Sequence, residues 1–139
     1  VISTTASFVL IDSSVYIDNL RERRFEKELL DLRWVVRLSA VVLAELRRGA
    51  RSREMIKFVD AIAKNFHVIA PNEREWDESG KIVARLVKAQ DYDIHKTREI
   101  HFDVLIALTA RKIGAVLITR DAADFTAIRQ FVEFKLLCW

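Results

Sequence analysis

Short apolar runs that stop abruptly, each separated from the next by a longer stretch of helical periodicity, constrain this chain more than any other feature. Phe8-Val-Leu-Ile11 is apolar at every position and ends at Asp12. A strand without polar alternation is buried on both faces, as in a parallel sheet covered by helices. Val35-Val36, His67 to Ala70 (closed by Pro71), Ala115 to Ile118 and Val132 to Leu137 repeat the pattern. Between them the apolar spacing is helical. Val15 to Leu32 carries Val15, Ile17, Leu20, Phe25, Leu29 and Leu32, with a break marked by Arg21 to Arg24. Ser39 caps a helix that stops at Gly49, and Ser52 opens another. A long amphipathic helix runs from about Glu73 to Ala89, and one from about Ile100 to Ile113 stops at Gly114. Gln90 to Glu99 has no period and reads as an exposed connection. This alternation predicts an α/β fold of three layers, α/β/α, around a mostly parallel sheet of about four to five strands. It reads as one domain over 1–139, with 1–7 a disordered or extraneous start.

Composition narrows the class. Three glycines and one proline in 139 residues are too few for an all-β chain built on tight turns. No apolar run approaches the ~20 residues that cross a bilayer. Cys138 is the only cysteine, which excludes an intramolecular disulfide and a cysteine zinc site. The expected compartment is therefore the reducing cytoplasm, and Cys138 itself is expected to be a buried small hydrophobe. Trp34, Trp76 and Trp139 read as core or interface anchors. The net charge of +3 permits a polyanionic partner without demanding one.

Four acids resist a bland account. Asp12 and Asp121 follow apolar strands, at the carboxyl edge where open parallel sheets bind ligands. Either one alone is equally a helix cap. Glu45 sits inside Val41-Val-Leu-Ala-Glu45-Leu46, and Asp103 inside Phe102-Asp-Val-Leu-Ile-Ala-Leu108. A buried carboxylate without a partner costs several kcal/mol, so each needs a basic partner, a capping role or a cation. Mg²⁺ and Mn²⁺ take carboxylate and water oxygens.

At these residues the chain resembles the PIN domain, and more closely the VapC-type toxin ribonucleases of toxin–antitoxin pairs. The segments that carry the resemblance are Val9-Leu-Ile-Asp12-Ser-Ser, Ser39 to Leu46, Phe102-Asp103-Val-Leu-Ile-Ala107-Leu-Thr-Ala110, and Leu117-Ile-Thr119-Arg-Asp121-Ala-Ala-Asp124-Phe125. The resemblance implies Mg²⁺- or Mn²⁺-dependent hydrolysis of phosphodiesters in single-stranded or structured RNA by an activated water. Asp12, Glu45, Asp103 and Asp121 match the family's acidic quartet, both as catalytic residues and as metal ligands. Thr119 matches its small hydroxyl position and Asp124 a variable further acid. An antitoxin partner and a homodimer are also implied. An apolar groove around Val15, Ile17, Leu20 and Phe25 is a candidate seat for an antitoxin helix, with core packing as the alternative. Arg47, Arg48, Lys96, Arg98 and Arg120 are candidates to neutralise RNA phosphates, or ordinary solvated and ion-paired side chains. Lys88 to His101 is longer and more charged than in many relatives, so substrate choice does not transfer.

Other chemistries fit less well. The chain has no Gly-rich phosphate loop, Gly-x-Ser-x-Gly elbow or His-Glu-x-x-His helix. His95, His101 and Asp103 do not have recognised zinc spacing. A phosphatase using Asp12 needs a second Asp where Ser14 stands, and a receiver domain needs a paired acid and a late Lys that are not evident. An RNA-processing PIN nuclease that is not a toxin, and a silent RNA- or protein-binding module, are the remaining alternatives.

Overall fold

The computed structural model describes residues 8–23 and 26–139. The expected start at 1–7 and the groove position of Phe25 lie outside the described residues. The central strand β1 (Phe8–Ile11) shows why the fold is layered. Val9, Leu10 and Ile11 are each at most 2% exposed, although successive side chains point to opposite faces. Both faces of the sheet are therefore covered.

The chain continues through α1 (Ser13–Glu22), α2 (Glu26–Leu30), β2 (Val35–Ser39), α3 (Ala40–Gly49), α4 (Arg53–Asn65) and β3 (His67–Ile69). It returns through α5 (Glu73–Gln90), α6 (Ile94–Ile113), β4 (Val116–Thr119), α7 (Ala122–Ile128) and β5 (Lys135–Cys138). The strands order as β3-β2-β1-β4-β5, and every pair is parallel. The expected α/β sheet is thus present with five strands, and parallel throughout. Each pair is joined by helical crossovers, as parallel strands require. The walk leaves β1 in one direction and resumes on its other side at β4, so the order reverses between these two strands. That switch point opens a crevice beyond their carboxyl ends.

Local signals explain most boundaries. Arg23, in the left-handed region at φ 53°, ends α1, and its amide bonds Asn19 O at 2.7 Å. The predicted break within 15–32 is this turn. Ser39 Oγ accepts the amides of Val41 and Val42 and starts α3. Asn72 and Glu75 form a capping box at the start of α5. Gly114, at φ 65°, closes α6 in a conformation that L side chains adopt only at a cost.

Four expectations are corrected. Gln90 to Glu99 is not a long connection: α5 runs to Gln90, and Asp93 caps α6 by accepting the Lys96 amide at 2.7 Å. The helical period is hidden because the first turns of α6 are largely exposed, with Ile94 at 71%, while Val104 to Ala110 are buried all round. The last strand begins at Lys135, after Val132 and Phe134 have already entered the core. Cys138 is exposed because β5 is an edge strand. Trp76 is half exposed rather than a core anchor. Among the described residues no helix is long and apolar enough to cross a membrane.

Candidate active site

Asp12 leaves β1 and caps the start of α1, and Asp121 does the same between β4 and α7. Neither carboxylate makes a side-chain capping bond. The Asp12 carboxylate instead collects hydroxyls: Oδ2 accepts from Ser14 Oγ at 2.8 Å and from Thr119 Oγ1 at 2.9 Å. Thr119 is fully buried at the end of β4. The same Oγ1 accepts the Asp121 amide at 2.9 Å, so one hydroxyl fixes the positions of both strand-end acids. The Asp12 amide bonds Ile118 O at 2.9 Å and closes the β1–β4 ladder beneath them.

Two helices supply the other acids. Glu45 lies in the middle of α3, where Ser13 Oγ reaches its Oε1 at 3.4 Å. Asp103 lies in the middle of α6, well past the first turn, which removes the capping explanation. It has no hydrogen bond or ion pair among the described residues. Asp12, Glu45, Asp103, Asp121 and Asp124 line one cavity of about 560 Å³, with Ser13, Ser14, Ile17, Arg48, His95, Arg98, Glu99 and Phe102 completing its wall. It lies where the sheet order reverses.

The electrostatics follow from crowding. Burial, then the charges of Asp12, Glu45, Asp124 and Asp121, push Asp103 up to about 9. Burial and the Asp12 charge push Glu45 up to about 7, against smaller opposing effects of Ser13 and Arg48. Asp12 is raised by burial, an effect only partly offset by the Ser14 and Thr119 hydroxyls and the amides of Ser13 and Ser14. Burial and the neighbouring Asp124 raise Asp121. Like charges gathered in one cavity oppose one another's ionisation, and a cation among them relieves that opposition.

The donor set fits a hard divalent ion. It offers several carboxylate oxygens and no cysteine, and Asp103, partly enclosed in the cavity wall, has no compensating group among the described residues. Among the described residues no three acidic or imidazole groups already close as a finished cage.

The basic candidates divide into two sets. Arg48 and Arg98 line the cavity. Arg47 is ion-paired with Asp60, and Arg120 with Asp18. Lys96 Nζ meets Asp124 Oδ2 at 2.6 Å, so Asp124, unlike Asp12, Glu45, Asp103 and Asp121, has an ion-pair partner among the described residues. The histidines do not form a zinc site with Asp103. His95 pairs with Glu99 at 3.2 Å, and His101 Nε2 lies 2.9 Å from Ser79 Oγ. Of the groove residues, Val15 is core, while Ile17 and Leu20 line a cavity of about 100 Å³ with Tyr16, Met55 and Phe58. Ser13 and Ser14, read from sequence as helix caps, turn out to hold acids. The visible signal for that role was two hydroxyls directly after a strand-end Asp.

The family model of the PIN domain matches residues 9–130, and the chain belongs to that family. Its fold is shared with solved toxin–antitoxin structures. VapBC-1 from nontypeable Haemophilus influenzae is 24% identical with a TM-score of 0.68, over 95% of this chain and 98% of that one. DNA-bound VapBC from Salmonella typhimurium is 20% identical with a TM-score of 0.70, over 97% and 99%. FitAcB from Neisseria gonorrhoeae is 21% identical with a TM-score of 0.65, over 93% and 96%. No curated protein sequence matches the chain significantly.

Proposed function

We propose that this PIN domain is a Mg²⁺- or Mn²⁺-dependent endoribonuclease and the toxin of a toxin–antitoxin pair. The observation that carries the nuclease reading is Asp103, a carboxylate in the interior of a helix with no hydrogen bond or ion pair among the described residues, lining the same cavity as Asp12, Glu45 and Asp121. Asp12, Asp103 and Asp121 are assigned as the metal ligands, and Glu45 either joins them or orients the attacking water. When bound, the ion supplies a more acidic water and offsets charge on the phosphodiester oxygens.

The chain's own residues do the positioning. Both hydroxyl bonds to Asp12 fall on Oδ2, which leaves Oδ1 lone pairs for an ion. Thr119 keeps Asp121 at a set distance from Asp12 through its amide bond. Arg48 and Arg98 on the rim attract and orient the phosphate backbone, so binding falls as salt rises.

An antitoxin partner is supported by the solved relatives, which are VapBC and FitAcB assemblies. A basic side chain of that partner among the carboxylates would take the place of the ion. The cavity beside Ile17 and Leu20 suits one face of an amphipathic helix. Undiminished co-purification of Leu20→Glu with the product of the neighbouring gene would count against this seat.

The decisive experiment is cleavage of total cellular RNA by purified protein with Mg²⁺, Mn²⁺ or EDTA, beside Asp12→Asn/Asp103→Asn. Discrete products that need the ion and vanish in the variant support the assignment. Absence of cleavage, with no rise in Tm on adding either ion, moves the assignment to a silent binding module.

A further inference from the structure

A second cavity, of about 360 Å³, opens beside the acidic one. Its walls are Val41 and Ala44 of α3, Pro71 after β3, Trp76 of α5 and Phe102 of α6. Glu45, Arg48 and Phe102 border both cavities, so the two are continuous across one seam. Trp76 is 50% exposed, a large apolar area that core packing does not explain. Its ring is nonetheless braced: His101 meets it edge-on at 6.3 Å between centroids, and Ser79 holds His101 in turn. The Arg48 guanidinium sits 5.6 Å from the Phe102 centroid, at the seam.

This juxtaposition matches a nucleotide. A phosphodiester is anionic and belongs at the ion and arginine side, whereas its base is flat, apolar on its faces and stacks on indole or phenyl rings. The volume falls within the range of small-molecule sites. Resting on the ribonuclease reading, we propose that this cavity seats one unpaired nucleobase flanking the cleaved bond, with Trp76 and Phe102 as its stacking surfaces. The pocket contains few polar groups with which to read base edges. It therefore selects for an unstacked base more than for its identity. Within the single-stranded or structured RNA that the family resemblance implies, the pocket favours an unpaired nucleotide beside the cleaved bond, because a paired base must first be extruded at a cost.

The test uses a 12-nucleotide single-stranded RNA of mixed sequence, the same RNA annealed to its complement, and a series carrying one abasic nucleotide at each position around the cleaved bond. Wild-type protein is expected to prefer the single strand. Trp76→Ala should lose about 5- to 150-fold in kcat/KM, the range for removing one base–aromatic stack, while Trp76→Phe retains most of it. Ile56→Ala, at an exposed apolar residue that lines neither cavity, should match wild type. One abasic position should reproduce the Trp76→Ala loss in wild type and add nothing in Trp76→Ala.

A binding arm separates this proposal from the nuclease assignment. The single strand should quench the fluorescence of Asp103→Asn, and the quenching should shrink in Asp103→Asn/Trp76→Phe. Cleavage by wild type with equal kcat/KM in Trp76→Ala and no Trp76-dependent quenching overturns the base pocket alone, and leaves the cavity to an apolar protein segment. Trp76-dependent quenching without any cleavage keeps the pocket and overturns the nuclease. Neither signal overturns both.

Discussion

Thr119 Oγ1 donates to Asp12 Oδ2 at 2.9 Å, joining the ends of β1 and β4 across 107 positions of sequence. Because the same oxygen accepts the Asp121 amide, Thr119 sets the spacing of two acids while touching neither ion nor RNA in the proposed reaction. Thr119→Val keeps the shape and removes both bonds. The expected result is a folded protein whose Mn²⁺ affinity falls about 10- to 100-fold, the usual cost of losing a group that orients a ligand. Titrating the Mn²⁺-induced rise in Tm measures it, and an unchanged midpoint would show that Thr119 does not position the ligand.

Asp103→Asn is predicted to separate stability from activity. Ion-dependent cleavage should be lost. The ion-free protein should become more stable at pH 8, by about 1 kcal/mol or more, because a carboxylate crowded by Asp12 and Glu45 is replaced by a neutral amide. Thermal unfolding with EDTA reads this as a rise of several degrees. A fall in Tm would mean that Asp103 has a stabilising partner in solution.

Stability of the ion-free protein should decrease with rising pH. Asp103 and Glu45 have folded-state pKa values near 9 and 7, above their ordinary 3.8 and 4.5. Between those limits the folded state binds more protons than the unfolded state, so unfolding free energy has a negative slope with pH. The stabilisation is fully present below about pH 4 to 5 for these two groups and is lost as pH rises through 7 and then 9. Saturating Mg²⁺ should flatten the curve. Urea titrations from pH 5 to 9, with and without Mg²⁺, decide it.

The arginines should not behave alike. Arg48→Ala and Arg98→Ala are expected to weaken RNA binding and each to reduce the salt dependence by about one phosphate contact. Arg47→Ala should leave the salt slope unchanged, because Arg47 is paired with Asp60 on an exposed surface, and should change stability by about 1 kcal/mol at most. Fluorescence anisotropy of a labelled single-stranded RNA over a salt series gives both slopes.

Gly114→Ala should cost about 1–2 kcal/mol, although nothing lies within 4 Å of where its Cβ would stand. The penalty is conformational, from a φ of 65° that an L side chain resists. An unchanged urea midpoint would show that the end of α6 relaxes freely.

The layered fold was legible because its signals are local. Uninterrupted apolar strands, the Ser39 and Ser52 caps and the Gly114 stop each act over a few neighbouring residues. The four acids could be nominated as well, since Glu45 and Asp103 stand among apolar neighbours where solvation cannot hold them. The start of α6 was not legible, because its exposed first turns and the run Val104 to Ala110, buried all round, leave no single apolar stripe. Nor was the division of the basic residues: whether Arg47, Lys96 or Arg120 faces RNA or pairs with Asp60, Asp124 or Asp18 depends on partners 13, 28 and 102 positions away. Sequence alone thus determined which residues carry charge and which segments bury themselves. Only the tertiary structure decided that Ser14 and Thr119 share one oxygen of Asp12, that Asp103 has no partner among the described residues, and that Trp76 stands in a cavity with Glu45. Those facts depend on the reversal of strand order at β1 and β4, which brings distant segments together, and no local propensity encodes that.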